Sequence, residues 1–120
     1  MPFSAPRTTA VIVNYHSAWY AIQAVESLLA QSPLGPLHTV VVDNSCEPGQ
    51  RDILEQDLTQ GVELICNAQN VGFGRACNQV FERTEDEFFL LINPDAYLLP
   101  QALRNMQDRL MQHPDVGAVS

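Results

Sequence analysis

Four short apolar runs in this chain each give way to asparagine or aspartate. They are Ala10–Val13 before Asn14-Tyr15-His16, Thr39–Val42 before Asp43-Asn44-Ser45, Val62–Cys66 before Asn67 to Asn70, and Phe88–Ile92 before Asn93-Pro94-Asp95. Any one of these is an ordinary turn, since Asn and Asp close turns after strands of every kind. Four of them at the same end of successive strands point to a polar ligand. Asp95 is the best metal candidate, because a magnesium or manganese ion shared with a diphosphate takes only one or two protein carboxylates. Pro94 before it restricts the turn and so the direction of the carboxylate. Gly72-Phe73-Gly74-Arg75-Ala76 lets backbone come close to a ligand at a helix N-terminus, where free N–H groups favour phosphate, and Arg75 adds charge. It is not a dinucleotide fingerprint: Cys77 holds the third glycine position, and the segment follows the third strand instead of the first.

The composition narrows the chemistry. All six basic residues are arginines (Arg7, Arg51, Arg75, Arg83, Arg104, Arg109), against fourteen acidic ones, for a formal charge of -8. Without lysine there is no Walker-type phosphate loop and no Schiff base within these residues. The negative charge disfavours nucleic acid and an anionic membrane surface, which both need a basic face. Cys46, Cys66 and Cys77 are an odd number with no C-x-x-C pair, which reads as reduced thiols and a cytoplasmic location. His16, His38 and His113 show no zinc-ligand spacing against them. No apolar run approaches the ~20 residues of a membrane-spanning helix.

The elements that must position these residues alternate. Between the four apolar runs lie helical patterns: Ala18, Ile22, Val25 and Leu29 behind a Ser17 cap; a short helix around Ile53, Leu54 and Leu58; Phe73, Ala76, Cys77, Val80 and Phe81; and Leu99, Leu103, Met106 and Leu110, with Pro100 in the first turn. Val116–Ser120 reads as the start of a fifth strand. The order β-α-β-α-β-α-β-α-β predicts an α/β fold, a parallel sheet with helices on both faces, in one domain over residues 1–120. With the ligand crevice at the switch point, Thr39–Val42 and Phe88–Ile92 flank the first strand and Val62–Cys66 lies outermost. The pattern stops inside an element, which leads us to expect the N-terminal part of a longer chain.

The segments Val11-Ile12-Val13-Asn14-Tyr15, Val41-Val42-Asp43-Asn44-Ser45, Asn70-Val71-Gly72-Phe73-Gly74-Arg75-Ala76-Cys77-Asn78 and Leu91-Ile92-Asn93-Pro94-Asp95-Ala96, in that order, resemble a family 2 glycosyltransferase. The likeness is to the nucleotide-sugar half of its Rossmann-like GT-A fold, in the rhamnosyltransferase-like branch, and it runs from about Thr9 to Ser120. The resemblance implies that Val13, Asn14, Tyr15, Asp43 and Asn44 lie at the base and ribose, and Asn70, Gly72 and Arg75 beside the nucleotide. It sets Asn93-Pro94-Asp95 in place of the family's Asp-x-Asp motif, with Asp95 as the metal-binding aspartate for Mg2+ or Mn2+ and Asn93 replacing the first aspartate. It further implies inverting transfer from a nucleoside-diphosphate sugar to a glycan or lipid-linked acceptor, in polysaccharide biosynthesis. The general base would lie beyond the metal motif, and neither Asp108 nor Asp115 fits it, so these 120 residues alone are expected to transfer no sugar.

Two other readings compete. A non-catalytic signalling domain of response-regulator type shares the length and acidity. It needs an acidic pair after the first strand and a lysine after the last, and Asn14-Tyr15 and the absence of lysine oppose it. A degenerate glycosyltransferase-like module that binds nothing would explain Asn93. Binding of a nucleoside diphosphate separates it from the first reading.

Overall fold

The β-branched runs do become the middle of a sheet. In the computed structural model, which describes residues 5–120, the order is β1 (Thr8–Asn14), α1 (Ala18–Leu29), β2 (Leu37–Asp43), α2 (Pro48–Asp57), β3 (Glu63–Cys66), α3 (Phe73–Phe81), β4 (Phe88–Ile92) and α4 (Ala102–Gln112). All strand pairings are parallel, in the order β3-β2-β1-β4, as the switch-point argument requires. The register sets Asn14 opposite Asp43 and Asp43 opposite Cys66, so the carboxyl ends of three strands form one row. Pairing of β4 ends at Ile12–Ile92, which releases Asn93 beside the same edge.

Alternation along the strands splits the core into two layers. Ala10, Ile12, Val41 and Ile92 face α1, α2 and α4 through Ala21, Val25, Leu28, Leu54 and Leu103. Val11, Val13, Val40 and Val42 face α3 through Ala76, Cys77 and Val80. Burial of both faces explains why β1 and β2 are apolar without alternation.

Several local expectations needed correction. Val116–Ser120 forms no strand; instead Gly117, Ala118 and Val119 line a groove of about 230 Å3 with β4 and α4. A strand there would need one of the two free sheet edges, and the segment packs beside α4 instead. On α1 the buried residue is Leu28, while Leu29 is exposed. Phe73 and Leu99 are also exposed, and α4 begins after Pro100, at Ala102. Its first turn and the loop before it are held by α1 and the residues just after it: Gln31 Oε1 accepts from the Leu103 N–H at 3.0 Å, and Ser27 Oγ on α1 accepts from the Leu98 N–H at 3.0 Å. The edge strand β4 leaves Phe89 and Leu91 exposed on the α3 face, so it is not buried on both sides.

Candidate functional site

Asparagine chemistry builds the carboxyl edge from β1 outward. The Asn14 side chain is 0% exposed, and its carboxamide is wholly engaged by the protein. Its Nδ2 group lies 3.1 Å from Asp43 Oδ1, 3.3 Å from Ser45 Oγ and 3.2 Å from Gln50 Oε1. Its Oδ1 accepts from the Ser17 N–H at 3.0 Å, and Gln50 Oε1 accepts from the Ala18 N–H at 2.9 Å. The first N–H groups of α1 are thus capped by Asn14 and Gln50, and not by the Ser17 hydroxyl expected from sequence, which donates to the Tyr15 carbonyl. Such caps satisfy donors that a helix start otherwise leaves orphaned.

Asp43 stands next in the row, 3% exposed. Among the described residues both of its side-chain hydrogen bonds fall on Oδ1, from Asn14 and from the Ser45 N–H at 3.0 Å. Among those residues Oδ2 has no hydrogen-bond partner. Asp43 lines a cavity of about 390 Å3 shared with Cys46, Glu47, Arg51, Asp52, Cys66 and Asn67. The charge there is negative on balance, because Asp43, Glu47 and Asp52 face one cation, Arg51, which is itself drawn to Glu55 at 2.7 Å. An acceptor-rich pocket of this kind suits the hydroxyl and N–H groups of a nucleoside better than its phosphates. His16 and Cys46, the residues flanking the two strand ends, both adopt left-handed backbone, with φ of 54° and 56°. Strain at non-glycine residues clusters at functional loops.

A second carboxamide group shapes the glycine loop. Asn44 Nδ2 donates to the Gly72 carbonyl at 3.2 Å, Asn67 Nδ2 donates to Asn44 Oδ1 at 2.8 Å, and Asn67 and Gln79 exchange reciprocal bonds at 2.9 and 2.8 Å. Asn70 Oδ1 accepts from the Gly72 N–H at 2.9 Å, a local turn. Gly72 has φ 84° and ψ 170°, a conformation essentially confined to glycine, and it caps α3. A Cβ added there would meet nothing within 4 Å, so the space beside the loop is open. Arg75, in the first turn of α3, is exposed and makes no ion pair among the described residues.

The remaining expected residues are distributed unevenly. Tyr15 is exposed, with its ring edge-on to His16 at 4.3 Å. Val13 packs its side chain under α3, so only its backbone is available to a ligand. Asn14 and Asn44 are consumed internally and support the pocket from behind. Asn93 and Asp95 are exposed in the turn after β4. Among the described residues no three His, Cys, Asp or Glu side chains gather to hold a metal, so a cage made of protein alone is absent. The donor set fits a single-carboxylate site: Asp95 is open to solvent, and Mg2+ or Mn2+ completes its shell with phosphate oxygens and water.

Gln50 and Gln79 were not anticipated. Each is a lone glutamine on a helix, with no local signal in the sequence, and only the tertiary fold brings it to Asn14 or Asn67.

A family model described as "Glycosyl transferase family 2" matches residues 9–120. The chain belongs to glycosyl transferase family 2. Among curated relatives, hyaluronan synthase of Streptococcus pyogenes is 28% identical over 108 residues, covering 83% of this chain and 26% of that protein. Among solved structures, the mannosyltransferase PcManGT from Pyrobaculum calidifontis, in complex with GDP-Man and Mn2+, aligns with a TM-score of 0.75 at 21% identity, over 90% of this chain and 33% of that one. S. aureus TarS 1-349 in complex with UDP-GlcNAc gives 0.69 at 22% identity, over 90% and 32%. This family 2 chain therefore spans about a quarter to a third of the proteins it matches, and it shares their GT-A fold.

Proposed function

We propose that this chain is the donor-binding part of a glycosyltransferase that takes a sugar from a nucleoside diphosphate and passes it to an acceptor hydroxyl. The observation that carries the reading is Asp43, which ties one carboxylate oxygen inward and leaves the other to a cavity of about 390 Å3 in a family 2 chain. Asp43 accepts from the nucleoside, Tyr15 and the backbone of Val13 border it, and Asn14 and Asn44 hold the loops in place. Asn70 and Gly72 shape the path toward the phosphates, where Arg75 and the start of α3 face the negative charge. Asn93 and Asp95 close the opposite side. Asp95 would hold Mg2+ or Mn2+, which when bound acts as a Lewis acid on the leaving diphosphate.

Transfer is inverting in this reading: the acceptor oxygen displaces the nucleoside diphosphate directly at the anomeric carbon. The base that deprotonates it is not assigned to any residue here. Asp108 is paired with Arg104 on α4, and these 120 residues alone transfer no sugar. The acceptor is a glycan or lipid-linked sugar, and the setting is polysaccharide assembly in the cytoplasm, in keeping with three free thiols. For the sugar, the rhamnosyltransferase-like resemblance makes a nucleotide-activated rhamnose the first donor to test. GDP-Man and UDP-GlcNAc, bound in the similar structures, serve as comparisons.

A thermal-shift panel tests the reading. At 100 times its dissociation constant, a nucleoside diphosphate should stabilise the chain by about 2.7 kcal/mol. A panel of uridine, thymidine and guanosine diphosphates that leaves Tm unmoved contradicts it and favours a module that binds nothing.

A further inference from the structure

We propose that Gln50 is a positioning residue of the donor pocket: through Asn14 it fixes the direction in which the Asp43 carboxylate points. The inference rests on the donor reading above and deepens it, because Gln50 stands behind the cavity wall. Glu47, Pro48, Arg51 and Asp52 of the same segment line the cavity, and Gln50 does not.

A carboxylate turns easily about its last side-chain torsion, so only its hydrogen bonds can hold one oxygen inward and the other outward. Asp43 receives two such bonds on Oδ1, and one of them comes from Asn14. The Asn14 carboxamide must then itself be held. At one end the Ser17 N–H pins its Oδ1 at 3.0 Å. At the other, Nδ2 carries two hydrogens and faces three acceptors, Asp43 Oδ1, Ser45 Oγ and Gln50 Oε1. Ser45 Oγ already accepts from the His16 N–H at 2.8 Å. Gln50 takes one hydrogen from the α2 side and leaves the other for Asp43.

Gln50 Oε1 is held in its turn. It also accepts from the Ala18 N–H at 2.9 Å, so it cannot swing away without orphaning a donor at the start of α1. One oxygen thus ties α2, α1 and the end of β1 together behind the pocket. Without that acceptor, the buried Nδ2 group has a hydrogen to satisfy, and the nearest free acceptor is the Asp43 carboxylate. The carboxylate is drawn inward, away from the direction in which Oδ2 meets the nucleoside.

Calorimetry of the whole chain with uridine, thymidine and guanosine diphosphates tests this, using Gln50→Met and Gln50→Glu. Methionine keeps the length without an acceptor. Glutamate keeps both acceptor bonds, beside a helix start that favours negative charge. The proposal expects Gln50→Met to weaken binding about five- to tenfold, and Gln50→Glu to stay within about threefold of wild type. In an Asp43→Asn background, Gln50→Met should change affinity by less than about twofold, because Gln50 acts through Asp43. Gln107→Met, which breaks bonds to Thr8 and Leu34 at the opposite edge of the sheet, should lower Tm and leave affinity unchanged. A wild-type chain that binds none of the three nucleotides overturns the donor reading and this proposal with it. Wild-type affinity in Gln50→Met overturns this proposal alone, as does an equal loss in Gln50→Glu or full additivity with Asp43→Asn.

Discussion

Asp43 has Oδ1 engaged by Asn14 and the Ser45 N–H and Oδ2 free among the described residues, and the role proposed for that free oxygen can be tested directly. Asparagine keeps an oxygen to accept from Asn14 and the Ser45 N–H, but it puts an amide in place of Oδ2. Asp43→Asn should therefore weaken nucleoside diphosphate binding by about 1–3 kcal/mol, roughly 5- to 150-fold, with little change in Tm. Calorimetric affinity equal to wild type would make Asp43 a structural turn residue only. The polar residues released at the strand ends were legible in the sequence because strand and turn chemistry are local. Their division of labour was not. Asn14 and Asp43 look alike as strand-end residues, yet one is spent on capping α1 and the other has a free oxygen. That distinction depends on Gln50, which only the folded chain brings alongside.

At the scale of the element, α3 and its loop give a pair of predictions with opposite sign. Gly72 has a backbone that other residues resist, although a Cβ would meet nothing, so Gly72→Ala should cost about 1–3 kcal/mol from conformation alone. Gly74 lies inside α3 with open space around it, and Gly74→Ala should stabilise by about 0.5–1 kcal/mol. Urea midpoints that move in the same direction for both would refute the argument. A third prediction belongs to the amino edge of the sheet. There the Thr9 hydroxyl, donating at 2.5 Å, holds the Asp86 carboxyl below its usual range, assisted by Thr84 and Arg7. A lowered folded-state pKa stabilises above the unfolded value and loses that contribution as pH falls through the folded one. Thr9→Val should thus be less stable at pH 6 by about 1–2 kcal/mol, with the gap to wild type shrinking below about pH 4. A gap that stays constant in urea titrations from pH 6 to pH 3 would contradict it. The order of elements was legible because two-face burial makes the middle of β1 (Ala10–Val13) and of β2 (Val40–Val42) unbroken apolar runs. Val116–Ser120 misled because a short apolar run does not by itself specify a strand: both sheet edges are free, yet the segment lines a groove with β4 and α4 instead.

Over the whole molecule, charge governs the account. A chain at -8 whose pocket is lined by Asp43, Glu47 and Asp52 does not attract a diphosphate unaided. In the proposed reading, Arg75, the start of α3 and a cation held by Asp95 supply the counter-charge. The family and its GT-A sheet could be read from four motifs in order, since each motif lies at a strand end that the parallel topology brings to one edge. The most direct measurement is a calorimetric titration of the chain with a nucleoside diphosphate, in Mn2+ or Mg2+ and again in excess chelator, for wild type and Asp95→Asn. The account predicts saturable binding that falls at least tenfold, about 1.4 kcal/mol, when the metal is withdrawn, and an Asp95→Asn chain that no longer responds to metal. Binding of equal strength with and without metal in both chains, or none under any condition, would contradict it.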